Sequence, residues 1–519
     1  MIGTLTSQAA RRFGSQIAII TDHEQLSFQE ADDRAATFAG GLRRLGVARG
    51  DRVVLHLPNG WRWVVAYYAI ARLGAVVVPA NILLSAAEVA FMAQDAEAAV
   101  VIAPLDRRQA IHLDMAGEAT ASFVTVGGAE GGSIDFDEVL RGAPAAVEPC
   151  AGGDLLAIGY TSGTTGKPKG AMLTHRNVFM SAALTATVHV RRPGEVVLSA
   201  LPLPHVYGNV VLHTAFLCGL TLVIMERFDA AAVLETIQRR KVTLFEGVPT
   251  MYYYLLAEPS LATTDLSSLI RCTVGGQTMP TAAIKNVEAA LGCPLLELWG
   301  MTEVAGPAVS HSPYLPNRHG SIGLPFPGVE ARIADLEDDA RDAPAGEVGE
   351  LLVRGPLVMK GYYRNPQATS EALSPEGWLR TGDVARKDAD GYLFIIDRKK
   401  DLIITAGYNV YPAELEQVIA EHPGVAVAAV ASVVDEAKGE LAKAFVVRRP
   451  GATVTESDIL DHCRRRLAAY KVPRLVEFVA DLPKTSTGKI TRRALRASAP
   501  APSPNGPADL GHALKDHAR

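Results

Sequence analysis

Short apolar runs ending in turn residues alternate with longer amphipathic stretches along most of this chain, and that alternation admits few folds. RVVLHLPN, AVVVPAN and AAVVIAP read as strands, with FQEADDRAATFAGGLRRLG and LLSAAEVAFMAQDA as helices among them. The pattern returns as TLVIME, AAAVLETIQRRK and VTLFEGVPT. This is the α/β signature of sheets carrying crossover helices. Over about residues 330–396 the texture changes. GEVGELLVRGPLVMKGYYRN and DGYLFIIDRKK are rich in strands and turns and predict a smaller β-rich subdomain. From about residue 401, DLIITAGYNV, AELEQVIAEH, VAVAAVASVVD, ELAKAFVV and ESDILDHCRRRLAAY predict a compact α+β domain of about a hundred residues. The expected division is a large domain over 1–399, a small C-terminal domain over 400–496 and a Pro/Ala-rich tail over 497–519 expected to be disordered. A chain of 519 residues exceeds one ordinary domain, which agrees with that division.

Several function classes fall away on composition. The net charge of −5 is close to neutral for this size and argues against non-specific nucleic-acid binding. The five Cys (150, 218, 272, 293, 463) form neither a CxxC pair nor a Cys/His cluster, so neither a disulfide framework nor a zinc site is supported. A reducing, cytoplasmic setting is expected. The N-terminal MIGTLTSQAARRFGSQ lacks the apolar core of a signal peptide. WVVAYYAIARLGAVVVPA, residues 63–80, is the most membrane-like stretch, but Arg72 and Pro79 interrupt it. It reads as a buried helix, a turn at Gly74 and a strand.

Residues 160–170, YTSGTTGKPKG, hold three Gly, four aliphatic hydroxyls and two Lys. Gly lets backbone approach an anion, hydroxyls and amides donate to it, and Lys supplies charge, so the run suits a loop that handles phosphate. It is not a Walker P-loop: Thr161 stands where the first Gly would be, and Pro168 follows Lys167. A plain surface loop is the alternative for this run taken alone.

Other segments recur with it in fixed order: LPLPHVYG (201–208), ELWGMTE (297–303), WLRTGD (378–383), DGYLFIIDRKKDLI (390–403) and LPKTSTGKITRR (482–493). Together the six resemble the adenylate-forming superfamily over residues 25–496, and most of all its fatty-acyl- and aryl-CoA ligases. The resemblance implies an ATP-dependent, AMP-forming ligase with Mg²⁺ as metal and coenzyme A as co-substrate. A substrate carboxylate would attack the α-phosphate of ATP, releasing pyrophosphate, and a thiol would then displace AMP. The substrate is its own nucleophile, in keeping with the lack of a G-x-S-x-G elbow. The difficulty is bringing one anion onto another, which cations and oriented donors must relieve.

By that resemblance, Thr161, Ser162, Gly163, Thr164, Thr165, Gly166 and Lys167 hold the β- and γ-phosphates. Thr302 contacts the α-phosphate, and Glu303 binds Mg²⁺, a hard cation suited to carboxylate oxygen. Asp383 accepts from the ribose hydroxyls and Arg398 reaches ribose or phosphate. Trp299, with Gly300 beside it, stands where many relatives carry Tyr against the adenine; it keeps the stacking surface and loses the phenol hydroxyl. Gly275, Gly276 and Gln277 fall at the strand end that lines the adenine, with Gln277 a departure from a commoner small residue. Lys489 is the expected catalytic lysine of adenylation, bridging carboxylate and α-phosphate. For thioester formation the C-terminal domain swings about a hinge at Lys400. Gly407 then lines the pantetheine tunnel, Tyr408 replaces a second Gly there, and His205 gates the tunnel and contacts the acyl carboxylate.

HVYGNVVLH, GVPTMYYYLL, CTVGGQTMP and LWGMTEVAGPAVS are expected to line the acyl pocket, with Tyr207, Asn209, Val210, Met251, Met279, Val304, Ala305 and Gly306 as candidates. None of the four contains Lys or Arg, so a second carboxylate would be buried unpaired. A neutral medium- or long-chain fatty acid is favoured, with an aromatic acid as the alternative. Glu246, just before GVPT, keeps an amino-acid substrate open unless it faces a helix or a water. An acyl-AMP ligase loading a separate carrier protein and a non-catalytic sensor are further alternatives. Pro483, Gly488 and Lys489 match a Pro-x-x-x-x-Gly-Lys pattern recognised by lysine acetyltransferases, which makes Lys489 a candidate acylation site. A homodimer is a further open partner assignment.

Overall fold

The computed structural model describes residues 1–115, 121–161, 168–405, 408–435, 439–484 and 490–497. Of the expected tail over 497–519, Ala497 ends the helix Arg492–Ala497, and the residues from 498 onward lie outside the described ones. The chain divides into two compact units, Met1–Lys399 and Lys400–Pro483 with the residues from Ile490 on; Lys484 groups with the first.

The large unit holds a seven-stranded sheet that runs from its middle to one edge through β1 (Arg52–Leu55), β2 (Val76–Pro79), β3 (Leu155–Thr161) and β4 (Lys169–Thr174), in that spatial order. β1, β2 and β3 run parallel, while β3 and β4 form an antiparallel hairpin. Helix α1 (Trp61–Arg72) joins β1 to β2. Its sequence WRWVVAYYAIAR is apolar on nearly every side, which marks a helix buried all round. Trp63, Tyr67 and Tyr68 are indeed almost fully buried, each contributing about 1.5–3 kcal/mol of burial free energy. Gly74 makes the turn into β2 with φ +65°, as the sequence of this stretch predicts. Among the described residues no helix is long and apolar enough to cross a membrane.

A nine-stranded sheet follows. Helix α2 (His175–Val188) starts where Thr174 and Asn177 close a reciprocal cap. Helix α3 (Val206–Cys218) ends at Gly219 in the left-handed conformation. From the sheet's middle toward one edge come β5 (Leu244–Gly247), β6 (Arg271–Val274), β7 (Leu295–Met301) and β8 (Gly306–Ser310), adjacent in that order. β5, β6 and β7 are parallel; β7 and β8 are antiparallel, joined by the tight turn 302–305. One apolar cluster runs through both sheets and the helices packed on them. A four-stranded antiparallel sheet completes the unit: Glu330–Ala334, then β9 (Gly349–Arg354), β10 (Leu379–Lys387) and β11 (Leu393–Arg398).

The small unit is a five-stranded sheet with helices Pro412–Ala420 and Glu456–Arg464. Val425–Asp435 pairs with Gly439–Arg448 along nearly their whole length. Ile403, Leu415, Ile419, Val430 and Ile459 form its core.

Candidate active site

The chemistry of the motifs collects where strands end. β3 and β4 bracket the Gly-rich run, of which Ser162, Gly163, Thr164, Thr165, Gly166 and Lys167 lie outside the described residues, as do Gly407 and Lys489. Thr161 closes β3, its hydroxyl 3.4 Å from the Lys169 carbonyl. Its neighbour Tyr160 donates to Asp95, which fixes the root of the hairpin.

The 302–305 turn stands beside this hairpin. Thr302 packs on β3 so closely that a Cβ at Gly159 would lie 2.7 Å from its methyl group. Glu303 is buried, with Oε1 accepting from the Tyr362 hydroxyl at 2.8 Å. Its carbonyl accepts from the Met359 amide, and the Tyr362 segment bridges to Ala171 on β4. Asn177 of α2 anchors the same segment through the Pro356 and Val358 carbonyls. Glu303 is therefore held by an element the motif itself does not contain. Burial and the facing carboxylate both raise the Tyr362 pKa, so the hydroxyl stays a donor. Lys169 stands 5.4 Å from the Tyr362 ring centre. Gly300, before this turn, tolerates no side chain: a Cβ would come 2.1 Å from the Gly306 carbonyl oxygen.

Trp299, near the end of β7, donates its indole N–H to Asp383 Oδ2 at 2.7 Å. Arg398 sits opposite Asp383 across β10 and β11, with Nε 2.8 Å from Oδ1. The aspartate side chain is 4% exposed and the arginine 48%, so a buried anion carries a solvated cation on one oxygen and an indole on the other. Gly275 and Gly276 follow β6, the neighbour of β7. A Cβ at Gly275 would strike Leu298 at 2.3 Å, and Gly276 has φ +90°. Gln277, beside them, is partly exposed.

His205 caps α3, Nδ1 accepting from the Tyr207 amide at 3.3 Å. It lines a cavity of about 60 Å³ together with Asn209, Thr302 and Ala305. Tyr67 of α1 and Tyr160 supply aromatic walls, and among the described residues no charged side chain contributes. Tyr67 was hidden in the sequence because nearly every neighbour on its helix is apolar; its hydroxyl lies 3.3 Å from Asn209 Oδ1. Val210, Met251, Met279, Val304 and Gly306 are not part of this lining, and neither is Tyr207. The Tyr207 hydroxyl turns instead to Thr273 at 2.6 Å and Glu246 at 3.0 Å.

Glu246 has a fully buried partner of its own. Its carboxylate pairs with Arg191 and accepts from Thr273, and both ionic side chains are 1% exposed. Burial by itself would raise the Glu246 pKa, but Arg191 and the other donors carry it below its ordinary value. His189, next to Arg191, is kept neutral with a pKa lowered to about 3, by burial first and by Arg191 second. The alternatives of a helix or a water for Glu246 are thus replaced by an ion pair that no local sequence pattern announces.

Lys400 opens the small unit, and Tyr408 is exposed there, stacked on Tyr470 at 4.7 Å between ring centres. Among the described residues no group of three or more His, Cys, Asp or Glu could form a metal cage. Glu303 is a single buried carboxylate at the 302–305 turn, a hard oxygen donor of the type that suits Mg²⁺.

The chain matches the AMP-binding enzyme family over residues 6–363 and the AMP-binding enzyme C-terminal domain over 414–489. It is 35% identical to a long-chain-fatty-acid–CoA ligase of Bacillus subtilis (strain 168), covering 95% of this chain and 93% of that one. It is 37% identical to a feruloyl-CoA synthase of an Amycolatopsis species, covering 95% and 98%. Among solved structures, the anthranilate CoA ligase AuaEII in complex with anthranoyl-AMP superposes with a TM-score of 0.90 at 30% identity, covering 96% of this chain and 97% of that one.

Proposed function

The chain belongs to the AMP-binding enzyme family, and from that premise we propose that it is an AMP-forming acid–CoA ligase acting on a neutral fatty acid. The observation that carries this reading is the hydrogen-bonded set Trp299–Asp383–Arg398 beside the Thr302–Glu303 turn. Trp299 presents an aromatic surface to a base. Asp383 spends one lone pair per oxygen on its two donors, and its remaining acceptor capacity suits a pair of ribose hydroxyls. Arg398, half-exposed, offers its free guanidinium edge to ribose or phosphate. Thr302 donates to the α-phosphate, and residues 161–167 cradle the phosphates beyond it. Glu303 would hold the Mg²⁺, whose charge would offset that of the triphosphate; Tyr362 fixes the carboxylate for that task. Lys489 brings an ammonium to the meeting carboxylate and phosphate. The small unit turns about Lys400 for the thiol step, with Gly407, Tyr408 and His205 along the pantetheine path.

The acid is read from the cavity beside His205. Among the described residues its lining carries no charge, and Glu246 is already neutralised by Arg191, so among them neither a second carboxylate nor an α-ammonium finds a partner. Long-chain-fatty-acid–CoA ligases among the relatives support an aliphatic acid. An aromatic acid is the second reading, favoured by the small volume and the Tyr67 and Tyr160 walls. The proposal extends to a cytoplasmic enzyme, with acetylation of Lys489 by a lysine acetyltransferase and homodimer formation as further parts of it.

The test is a panel of C2–C18 fatty acids, benzoate, cinnamates and malonate with ATP, Mg²⁺ and CoA, following AMP and acyl-CoA together. One-to-one formation of both with fatty acids, abolished in Lys489→Ala, is expected. Turnover confined to aromatic acids would replace the fatty-acid reading. Pyrophosphate release without thioester would point to a carrier-loading enzyme.

A further inference from the structure

Glu350, on β9, belongs to none of the six motifs, yet it reaches β10 beside Asp383 and the residue that directly follows β11 and Arg398. Its Oε1 accepts from the Gly382 amide at 3.1 Å, and its Oε2 lies 3.0 Å from Lys399 Nζ. Gly382 directly precedes Asp383, and Lys399 directly follows Arg398 and precedes Lys400. The Glu350 side chain is 6% exposed, whereas Lys399 is 49% exposed. A buried carboxylate is costly unless both oxygens find donors, and both of these donors come from chain that flanks the nucleotide pair. Gly382 lies within β10, where the pairing with β9 shifts register, and has φ +72°; as a glycine it has no side chain to hold that irregularity in place. The fixed point for that stretch of β10 is the Glu350 carboxylate, together with the Thr381 hydroxyl that accepts from the Asp383 amide at 3.1 Å.

We propose that Glu350 is a positioning residue for nucleotide binding. It fixes the backbone ahead of Asp383 through Gly382, and ties the residue before the hinge position to the same point through Lys399. The inference rests on the adenylate-forming reading above. Its two ends separate chemically. Glu350→Gln keeps an oxygen for the Gly382 amide and loses the charge that holds Lys399. Glu350→Asp keeps the charge and, one methylene shorter, withdraws from Gly382. Lys399→Ala removes only the ion pair.

The experiment measures AMP affinity by calorimetry, and ATP KM and kcat from pyrophosphate release, for the wild type and the three variants. Unfolding midpoints are taken alongside. Glu350→Asp is expected to weaken AMP binding and raise the ATP KM by about tenfold or more, with kcat changed less. Glu350→Gln and Lys399→Ala are expected to stay within about threefold of wild type in AMP affinity. An AMP affinity unchanged in Glu350→Asp overturns the inference. So does Glu350→Gln if it is as impaired as Glu350→Asp, because the Gly382 bond would then not be the determinant. A wild-type protein that neither binds AMP nor releases pyrophosphate overturns the adenylation reading itself.

Discussion

Replacing Glu297 by Gln should make the large unit more stable, by an amount set by pH. Glu297 lies on β7 with its side chain buried, and Oε2 accepts from the Gly320 amide at 3.0 Å. Burial raises its pKa from 4.5 to about 8; the Gly320 amide opposes this and Glu288 adds a smaller upward push. The titratable groups nearby are Glu288, His319 paired to Glu288 at 3.0 Å, and His311, whose own pKa burial lowers to about 4. Because the folded pKa is raised, the native state keeps a proton that the unfolded chain releases. The contribution is therefore fully present below the unfolded pKa and is lost as pH rises through about 8. Each tenfold step of ionisation forgone is worth about 1.4 kcal/mol, so some 2.5 steps between pH 4.5 and pH 7 amount to about 3 kcal/mol. Gln mimics the neutral acid and cannot ionise, so Glu297→Gln should gain about 3 kcal/mol over wild type near pH 7 and about nothing near pH 4. All four Trp lie in the large unit, so indole fluorescence during urea unfolding reports on that unit alone. Parallel pH profiles for the two proteins would refute the buried neutral carboxyl.

Arg191→Leu should destabilise the large unit by about 3–5 kcal/mol, since it strands the buried Glu246 carboxylate, and adding Glu246→Leu should recover most of the loss in urea titrations. Gly300→Ala, whose Cβ would meet the Gly306 carbonyl oxygen at 2.1 Å, should cut adenylation by about a hundredfold by displacing the Thr302–Glu303 turn, measured as pyrophosphate release. Trp299→Phe keeps a ring but withdraws the N–H from Asp383, and AMP affinity by calorimetry should fall by about tenfold.

The division of labour between sequence and structure follows the range of the interactions. Alternation of strand and helix patterns is a local property, repeated every few residues, so the α/β character, the buried helix at residues 61–72 and the β-rich stretch near 330–396 were legible from the chain alone. So were the motif positions, because Gly and turn residues mark strand ends. The partners of those motifs were not. Trp299 meets Asp383 across 84 residues, Tyr67 meets Asn209 across 142, and Arg191 meets Glu246 across 55. Each pairing depends on which strands become neighbours, and sheet order is not written in any short window. Tyr207 shows the consequence: its hydroxyl is held by Glu246 and Thr273, 39 and 66 residues away, partners that its own motif does not announce. Sequence alone determined the elements and the kinds of group available, since both follow from local periodicity and side-chain chemistry. Only the tertiary structure decided which carboxylates are already neutralised and which retain acceptor capacity for a ligand, because burial and pairing are properties of the assembled core.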